Sequence, residues 1–392
     1  MRHQPTVPKT AIHALALALS MFTGRMEAQT TSAALIGPTL EVRGDADEKN
    51  LLLNIAQVVP LSDGRLAVLC WNDAVVRVFD ARGKLIRSTG RRGDGPQELN
   101  GLDAGGAYRG DSLWIVDRMW RRISILDRDG RIVRRVALAA PMARADANYS
   151  GDLSHVVGSL DDGSFVVRTP PRIPRDSPLG AQWYDTELLV YTADGQRGPS
   201  LGFVHYSPVI VRRAGLNADV AVPRFSTTTP LALDRTSVLV GAAEGAALTR
   251  RTRKSDGRVV IDTVVSPSLP ATAVLARHVA AARQLDRERR VGFERPAASS
   301  AEVVSSTFPP YTRIVPAANG SLWLQGPEIP GDSTTVSYVA TPGRGISLRV
   351  ITPSRFVAHA FNGTLVTGVF RDLDDVEHVR VYRISPASRS TP

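Results

Sequence analysis

Catalytic chemistry in this chain would have to come from a small set of side chains. Beyond the first thirty residues the histidines are His155, His205, His278, His359 and His378, and none sits in an H-E-x-x-H array. His155 and His359 each fall on the first strand of a repeated unit, an even number of residues before that unit's turn glycine, so they share a facing. If the units close into a ring, both line its central channel, where a divalent metal would support hydrolysis or elimination. One histidine per strand falls short of the three protein ligands usual at catalytic zinc. The residues therefore favour two polar groups lining a wet channel, with a channel metal as the alternative.

The other candidates for chemistry are weaker. Asp372, Asp374, Asp375 and Glu377 share one loop without EF-hand spacing, so they read as a solvated charge run, with a calcium site as the minority reading. The string GRRGDGPQE at 90–98 is glycine-rich but leads into a strand, whereas a phosphate cradle must open a helix. It is expected to be a tight crossing between units, with Glu98 paired to Arg91 or Arg92. A serine nucleophile on a strand-to-helix elbow is not expected. The single cysteine, Cys70, lies inside an apolar strand and reads as a packing residue; alone, it forms no internal disulfide.

Recognition has better candidates than catalysis. Trp120 and Trp183 fall in loops, flanked by Arg118, Arg121, Arg122 and Tyr184. Exposed tryptophan and arginine on one face suit a protein or glycan partner, against the alternative of tryptophan packed between units. Trp71, Trp114 and Trp323 lie in or at the ends of second strands and read as core.

These residues are carried by a repeat. A tight turn followed by an apolar strand recurs at Asp63-Gly64, Gly110-Asp111, Asp162-Gly163, Asp234-Arg235, Asn319-Gly320 and Asn362-Gly363. Further strands follow each one, joined by turns such as Asp80-Ala81-Arg82-Gly83, with no helix between them. That pattern predicts an all-β fold, a six-bladed β-propeller of four-stranded antiparallel blades over residues 29–392. The last unit has three evident strands, and Pro38–Gly44 supplies the fourth, closing the ring and removing two open edges. Ala271–Arg290 lacks Gly and Pro and places Val274, His278, Ala281 and Leu285 on one face, which predicts a helical insertion between blades 4 and 5.

Connections after second and fourth strands emerge on one face of such a ring. The elaborations fall there: Pro170–Asp185, Pro327–Asp332, the helix, Gly90–Glu98, Arg118–Arg121 and Arg371–Glu377. Binding groups concentrate on loops held by a rigid scaffold, so this is the expected working face.

The N-terminus reads as a signal peptide, residues 1–28. Arg2 and Lys9 precede the apolar run Ala11–Phe22, and Met26-Glu27-Ala28 ends in a small residue. The run is shorter than the roughly 20 apolar residues a bilayer requires. No cysteine stands at the cleavage point, so a lipoprotein is not expected; the mature chain is expected in the periplasm or outside the cell. The formal net charge of +10 is spread through every unit and carried almost wholly by arginine, so it does not point to a specific nucleic acid.

Phe79-Asp80-Ala81-Arg82-Gly83 followed by GRRGDGPQEL at 90–99 resembles the signature of a family of exported bacterial six-bladed β-propellers, NHL-like or TolB-like. PTLEVRGD near the start, LWLQ at 322–325 and VEHVRVYRI at 376–384 are similar to that family as well. The chain departs from the pattern at Gln97, where glycine is commoner, and at Leu99, where phenylalanine is. The resemblance implies a secreted or periplasmic propeller and no particular activity. The expectation is a monomeric, non-enzymatic binding scaffold without a cofactor, working through its elaborated face on a protein or glycan. A metal-dependent hydrolase or lyase using the channel is the alternative.

Overall fold

The computed structural model describes residues 31–45, 51–71, 73–93, 95–99, 101–117, 122–139, 155–171, 177–214, 217–242, 245–289 and 303–386. Two short strands lead, β1 (Thr31–Leu35) and β2 (Leu40–Val42). A first antiparallel sheet holds β3 (Ile55–Pro60), β4 (Leu66–Cys70), β5 (Val75–Phe79) and β6 (Leu85–Thr89). A second holds β7 (Leu102–Ala107), β8 (Leu113–Asp117), β9 (Arg122–Leu126) and β10 (Ile132–Ala137). In the third, β11 (His155–Ser159) and β12 (Phe165–Arg168) lead to a long hairpin, β13 (Gly180–Tyr191) and β14 (Arg197–Ala214), edged by β15 (Asn217–Ala221).

The fourth sheet holds β16 (Leu231–Asp234), β17 (Ser237–Gly241), β18 (Leu248–Arg253) and β19 (Val259–Val265). An insertion follows, in which β20 (Thr272–Ala273) pairs with β21 (Thr307–Phe308) around α1 (Ala276–Arg289). Then come β22 (Arg313–Pro316), β23 (Leu322–Gln325), β24 (Thr334–Thr341) and β25 (Gly345–Pro353). The closing set is β26 (Phe356–Phe361), β27 (Leu365–Arg371) and β28 (Glu377–Pro386).

The turns follow from local chemistry. Asp80 Oδ1 accepts the amides of Arg82 (2.9 Å) and Lys84 (2.8 Å), and Asp127 Oδ1 does the same for Asp129 and Arg131 (both 2.9 Å). In the equivalent turn of the third sheet, Gly195 has φ +85° and lies so close to the second sheet that a Cβ would stand 2.0 Å from the Ala137 carbonyl oxygen. Only glycine fits there.

The second strands are buried on both faces and read as continuous apolar runs for that reason. Along β4, Ala67 and Leu69 enter a core shared with Leu102, Leu113 and Ile115 of the second sheet. Leu66, Val68 and Cys70 enter another, with Val369, Val379 and Val381 of the closing set. Sheets therefore pack face to face with both neighbours. The first strands also touch in succession: β3 with β7, β7 with β11, β11 with β16, β16 with β22, β22 with β26, and β26 with β3.

The N-terminal segment does more than the sequence suggests. β2 pairs antiparallel with β28, Leu40 opposite Val381 and Val42 opposite Val379, as the fourth strand of the closing set. β1, which the sequence pattern does not reveal, runs parallel to β25 and antiparallel to β28, so it joins two neighbouring sets into one sheet. Ala33 and Leu35 are buried in that seam.

Several expectations need correction. The helix begins at Ala276, not Ala271, because Thr272 and Ala273 are drawn into β20. Its buried face is His278 and Ala282, whereas Leu285 is exposed, so the helix packs through an i, i+4 pair and not through the apolar stripe. Trp183 lies within β13 and not in a loop. Trp71 sits just past the end of β4 and is half exposed, while Trp114 and Trp323 are core. No helix among the described residues is long and apolar enough to cross a membrane.

The seam makes a direct prediction. A chain lacking residues up to Ile36 is expected to unfold at lower denaturant and to gain mass by self-association, since the edges of β25 and β28 become uncovered. Leu35→Ala alone is expected to cost about 2–3 kcal/mol. Unchanged urea midpoints and unchanged light-scattering mass would refute the role assigned to β1.

Candidate functional site

A cavity of about 530 Å³ opens where β3, β22 and β26 begin. Ile55 and Ala56 of β3, Arg313 of β22, and Val357 and His359 of β26 form its floor; Ala282, Leu285 and Asp286 of α1 line it from above. The connections after β23 and β27 complete the wall with Glu328 and Pro330, and with Arg371 and Glu377. A smaller cavity of about 370 Å³, lined by Leu52, Asn54, Arg371, Asp375 and Glu377, adjoins it through shared residues. The helix, the 326–333 connection and the acidic loop, three of the elaborations marked in the sequence, meet here.

α1 is held in place by polar and aromatic contacts. Arg224 donates to Asp286 at 2.5 Å, and its backbone bonds to Val303 and Ser305, where the chain returns from the insertion. Phe308 packs against both Phe225 and His278, with ring centroids 4.9 and 5.3 Å apart. Phe225 and Arg355 hold φ near +66° and +63°, and Asn54 and Asp375 near +49° and +61°. For a bulky side chain such as Phe225 that conformation is an outlier, of the kind that gathers at binding and switch regions.

The charges around the cavity are mostly paired. Arg371 bonds Glu377 (2.6 and 3.0 Å) and Arg355 bonds Asp375 and the Asp372 carbonyl. The acidic run is an architectural element. Asp372 caps the amides of Asp374 and Val376 and accepts a bond from His378 Nε2, whose Nδ1 takes the Gly44 amide. The hydrogen bond from His378, foremost, holds the Asp372 carboxyl below its ordinary value. Glu377 also takes the Ile55 amide at 2.6 Å. These carboxylates are engaged by protein donors, as a folded loop requires.

Arg313 is different: among the described residues no side chain or backbone group bonds its guanidinium. Crowding by protein lowers its pKa through desolvation, although the residue keeps solvent contact in the cavity; it remains a cation at neutral pH. His359 stands nearby. Its Nδ1 accepts the Val58 amide at 3.0 Å, tying β26 to β3, which leaves Nε2 as the protonated nitrogen of the neutral ring. Burial first, and the Arg313 charge second, lower the His359 pKa to about 3.

The other sequence candidates are not brought together. His155 begins β11, is exposed, and does not line this cavity. Among the described residues no three His, Cys, Asp or Glu side chains cluster to hold an ion. Arg118, Trp120 and Arg121 lie outside the described residues. Trp183 contacts the His205 ring (centroids 5.7 Å apart), and His205 Nδ1 lies 2.7 Å from Asp185, beside a separate cleft between the third and fourth sheets. Burial raises the Cys70 thiol pKa, consistent with a packing role.

The Gly90–Glu98 string is a closed crossing, as expected. Glu98 pairs with Arg91 and takes the Gly95 amide at 2.9 Å, while Arg135 bonds the carbonyls of Gly95 and Glu98. Gln97 bonds both backbone groups of Ile132, giving that departure from the family pattern a use. One motif escaped the sequence reading. Gly198-Pro199-Ser200-Leu201-Gly202 fits G-x-S-x-G, but it lies inside β14, with Ser200 Oγ accepting the Gly202 amide, so it is no strand-to-helix elbow. Arg313 and Glu328 also escaped notice, since a lone charge on a strand or loop carries no spacing signal.

No family model matches the chain, and no curated protein does. A member of the DUF4221 family from Bacteroides vulgatus superposes with a TM-score of 0.52 at 11% identity, over 91% of this chain and 99% of that one. An exported protein of Bacteroides fragilis gives 0.45 at 11% identity, over 91% and 95% of the two chains. A virginiamycin B lyase from Staphylococcus aureus gives 0.41 at 10% identity, over 87% and 98%. The last two superpose too loosely to carry an argument. Among the described residues the chain is nearly all-β with one helix, three of its sheets are four-stranded and antiparallel, and its fold is similar to that of the DUF4221 protein.

His359 gives this region a pH signature. The unfolded chain takes up the imidazole proton near its ordinary value of 6.5, whereas the folded chain refuses it until about 3. Stability is therefore expected to fall as pH falls through that window, by at most about 1.4 kcal/mol per pH unit. Urea midpoints at about pH 4.5 and about pH 7 should diverge in the wild type and converge in His359→Asn. Equal divergence in both proteins would show that His359 contributes nothing.

Proposed function

We propose that the chain is an exported six-bladed β-propeller that serves as a binding scaffold through its elaborated face. The cyclic contacts of the first strands, with β26 returning to β3, support the ring. The pairing of β2 with β28 supports closure by an N-terminal strand. The order of charge, apolar run and small residue in 1–28 supports export to the periplasm or beyond.

The observation that carries the binding reading is the cavity at the start of β3, β22 and β26. Its volume of about 530 Å³ falls within the range of ligand sites. It also gathers α1, two elaborated connections and left-handed residues around one unpaired cation. Nothing comparable favours the channel enzyme, since His155 and His359 do not share this space.

Two measurements test this. Amino-terminal sequencing of the protein recovered from the cell envelope is expected to begin at Gln29; retention of Met1 would overturn export. A photo-crosslinking residue at Leu285, on the cavity rim, is expected to give discrete adducts in cells that the same residue at Ile86, an exposed position on β6, does not. Identical patterns from the two positions would refute a working face around α1.

A further inference from the structure

Resting on the scaffold reading, one inference narrows what the cavity takes. We propose that it binds a small oxyanion, a carboxylate or phosphate group, held by the Arg313 guanidinium and the Nε2–H of His359.

The cavity offers donors without acceptors. Four arginines and three carboxylates line the cavity. Arg224, Arg355 and Arg371 are matched to Asp286, Asp375 and Glu377. Arg313 is left as a cation open to solvent in the cavity with no counter-charge bonded to it, so its guanidinium donors are free to meet an anion.

His359 adds a second donor. The Val58 amide occupies Nδ1, so the neutral ring offers only an N–H from Nε2, and no described protein group accepts it. A guanidinium and an imidazole N–H in one confined space, both unanswered, match the several lone pairs of an oxyanion. Val357 and Ala56 on the floor, and Leu285 above, leave apolar surface for a short organic remainder.

Glu328 is the lining carboxylate that no described group bonds, and it is exposed at the rim. It repels an incoming anion and so limits which anions stay. The Coulomb term between unit charges in such a setting is several-fold larger than in bulk water, so removing Glu328 is expected to tighten binding.

Isothermal titration of the mature chain with inorganic phosphate and, separately, with succinate tests the proposal and tells the two sources apart. At least one is expected to bind with a measurable dissociation constant. Arg313→Gln should weaken that binding by at least about tenfold and His359→Asn, which keeps an acceptor for Val58, by a smaller factor. Glu328→Gln should strengthen it, and since its side chain holds nothing in place, that gain is readable even if another variant folds poorly.

Flat titrations with both anions, or equal affinity in wild type and Arg313→Gln, overturn the inference. If the titrations are flat while Leu285 crosslinks remain specific, the anion falls and the scaffold stands. If both fail, the cavity is not the binding site.

Discussion

Strand edges govern this molecule. A sheet edge leaves a row of unpaired N–H and C=O groups that must find partners or invite association. At the closing set the chain answers with its own beginning. One edge of β28 takes Leu40–Val42 and then Ala33–Leu35, the bend between them passing through Gly37 at φ +46°. The other edge of β1 takes β25. Residues 31–42 therefore cover two edges with two short strands, and they bring the first described residues against the last.

That seam reaches the cavity through hydrogen bonds. Gly44 follows β2 and donates to His378, which holds Asp372; Glu377, next to His378, bonds both Arg371 and the first amide of β3. A Cβ on Gly44 would stand 2.0 Å from the Glu377 carbonyl oxygen, so the close approach itself requires glycine. Side chains supply similar links elsewhere between first strands and their neighbours. Gln325 bonds the Phe356 carbonyl and the Ala358 amide at 2.5 and 2.7 Å, and His359 takes the Val58 amide. Each stands in for a ladder partner that the gap between sheets denies. Arg313, in register opposite Gln325, has no such duty.

The all-β, antiparallel character was readable because its signals are local. Asp-Gly and Asn-Gly turns demand positive φ, and second strands buried on both faces must be apolar throughout; both survive in a single sequence. β1 was not readable. TSAAL is short and small, and becomes a strand only because β25 and β28 offer it two edges. The helix was legible, and so was His278 on its inner face, where it meets the Phe308 ring; the stripe erred in continuing to Ala281 and Leu285, since Ala282 is the buried partner and Leu285 is exposed. Trp183 was misplaced because the long hairpin β13–β14 extends well past the usual strand length. At the site, the connections that converge were visible as elaborations, but the charge imbalance was not. Pairing is a property of three dimensions, and nothing in the sequence distinguishes Arg313 from the arginines that have partners.

The strain and the charge point to the same place. Six non-glycine residues among those described hold positive φ. Phe225, Arg355, Asn54 and Asp375 line or adjoin the two cavities at the start of β3, β22 and β26. At Phe225 and Arg355 such conformations cost on the order of 1–3 kcal/mol each and persist only where the surroundings hold them, whereas Asn54 and Asp375 are residue types that tolerate them. Here Arg355 is held by Asp375, itself left-handed, and Phe225 by the ring of Phe308. The strain at Phe225 and Arg355 and the unpaired Arg313 cation thus fall on the lining of one cavity.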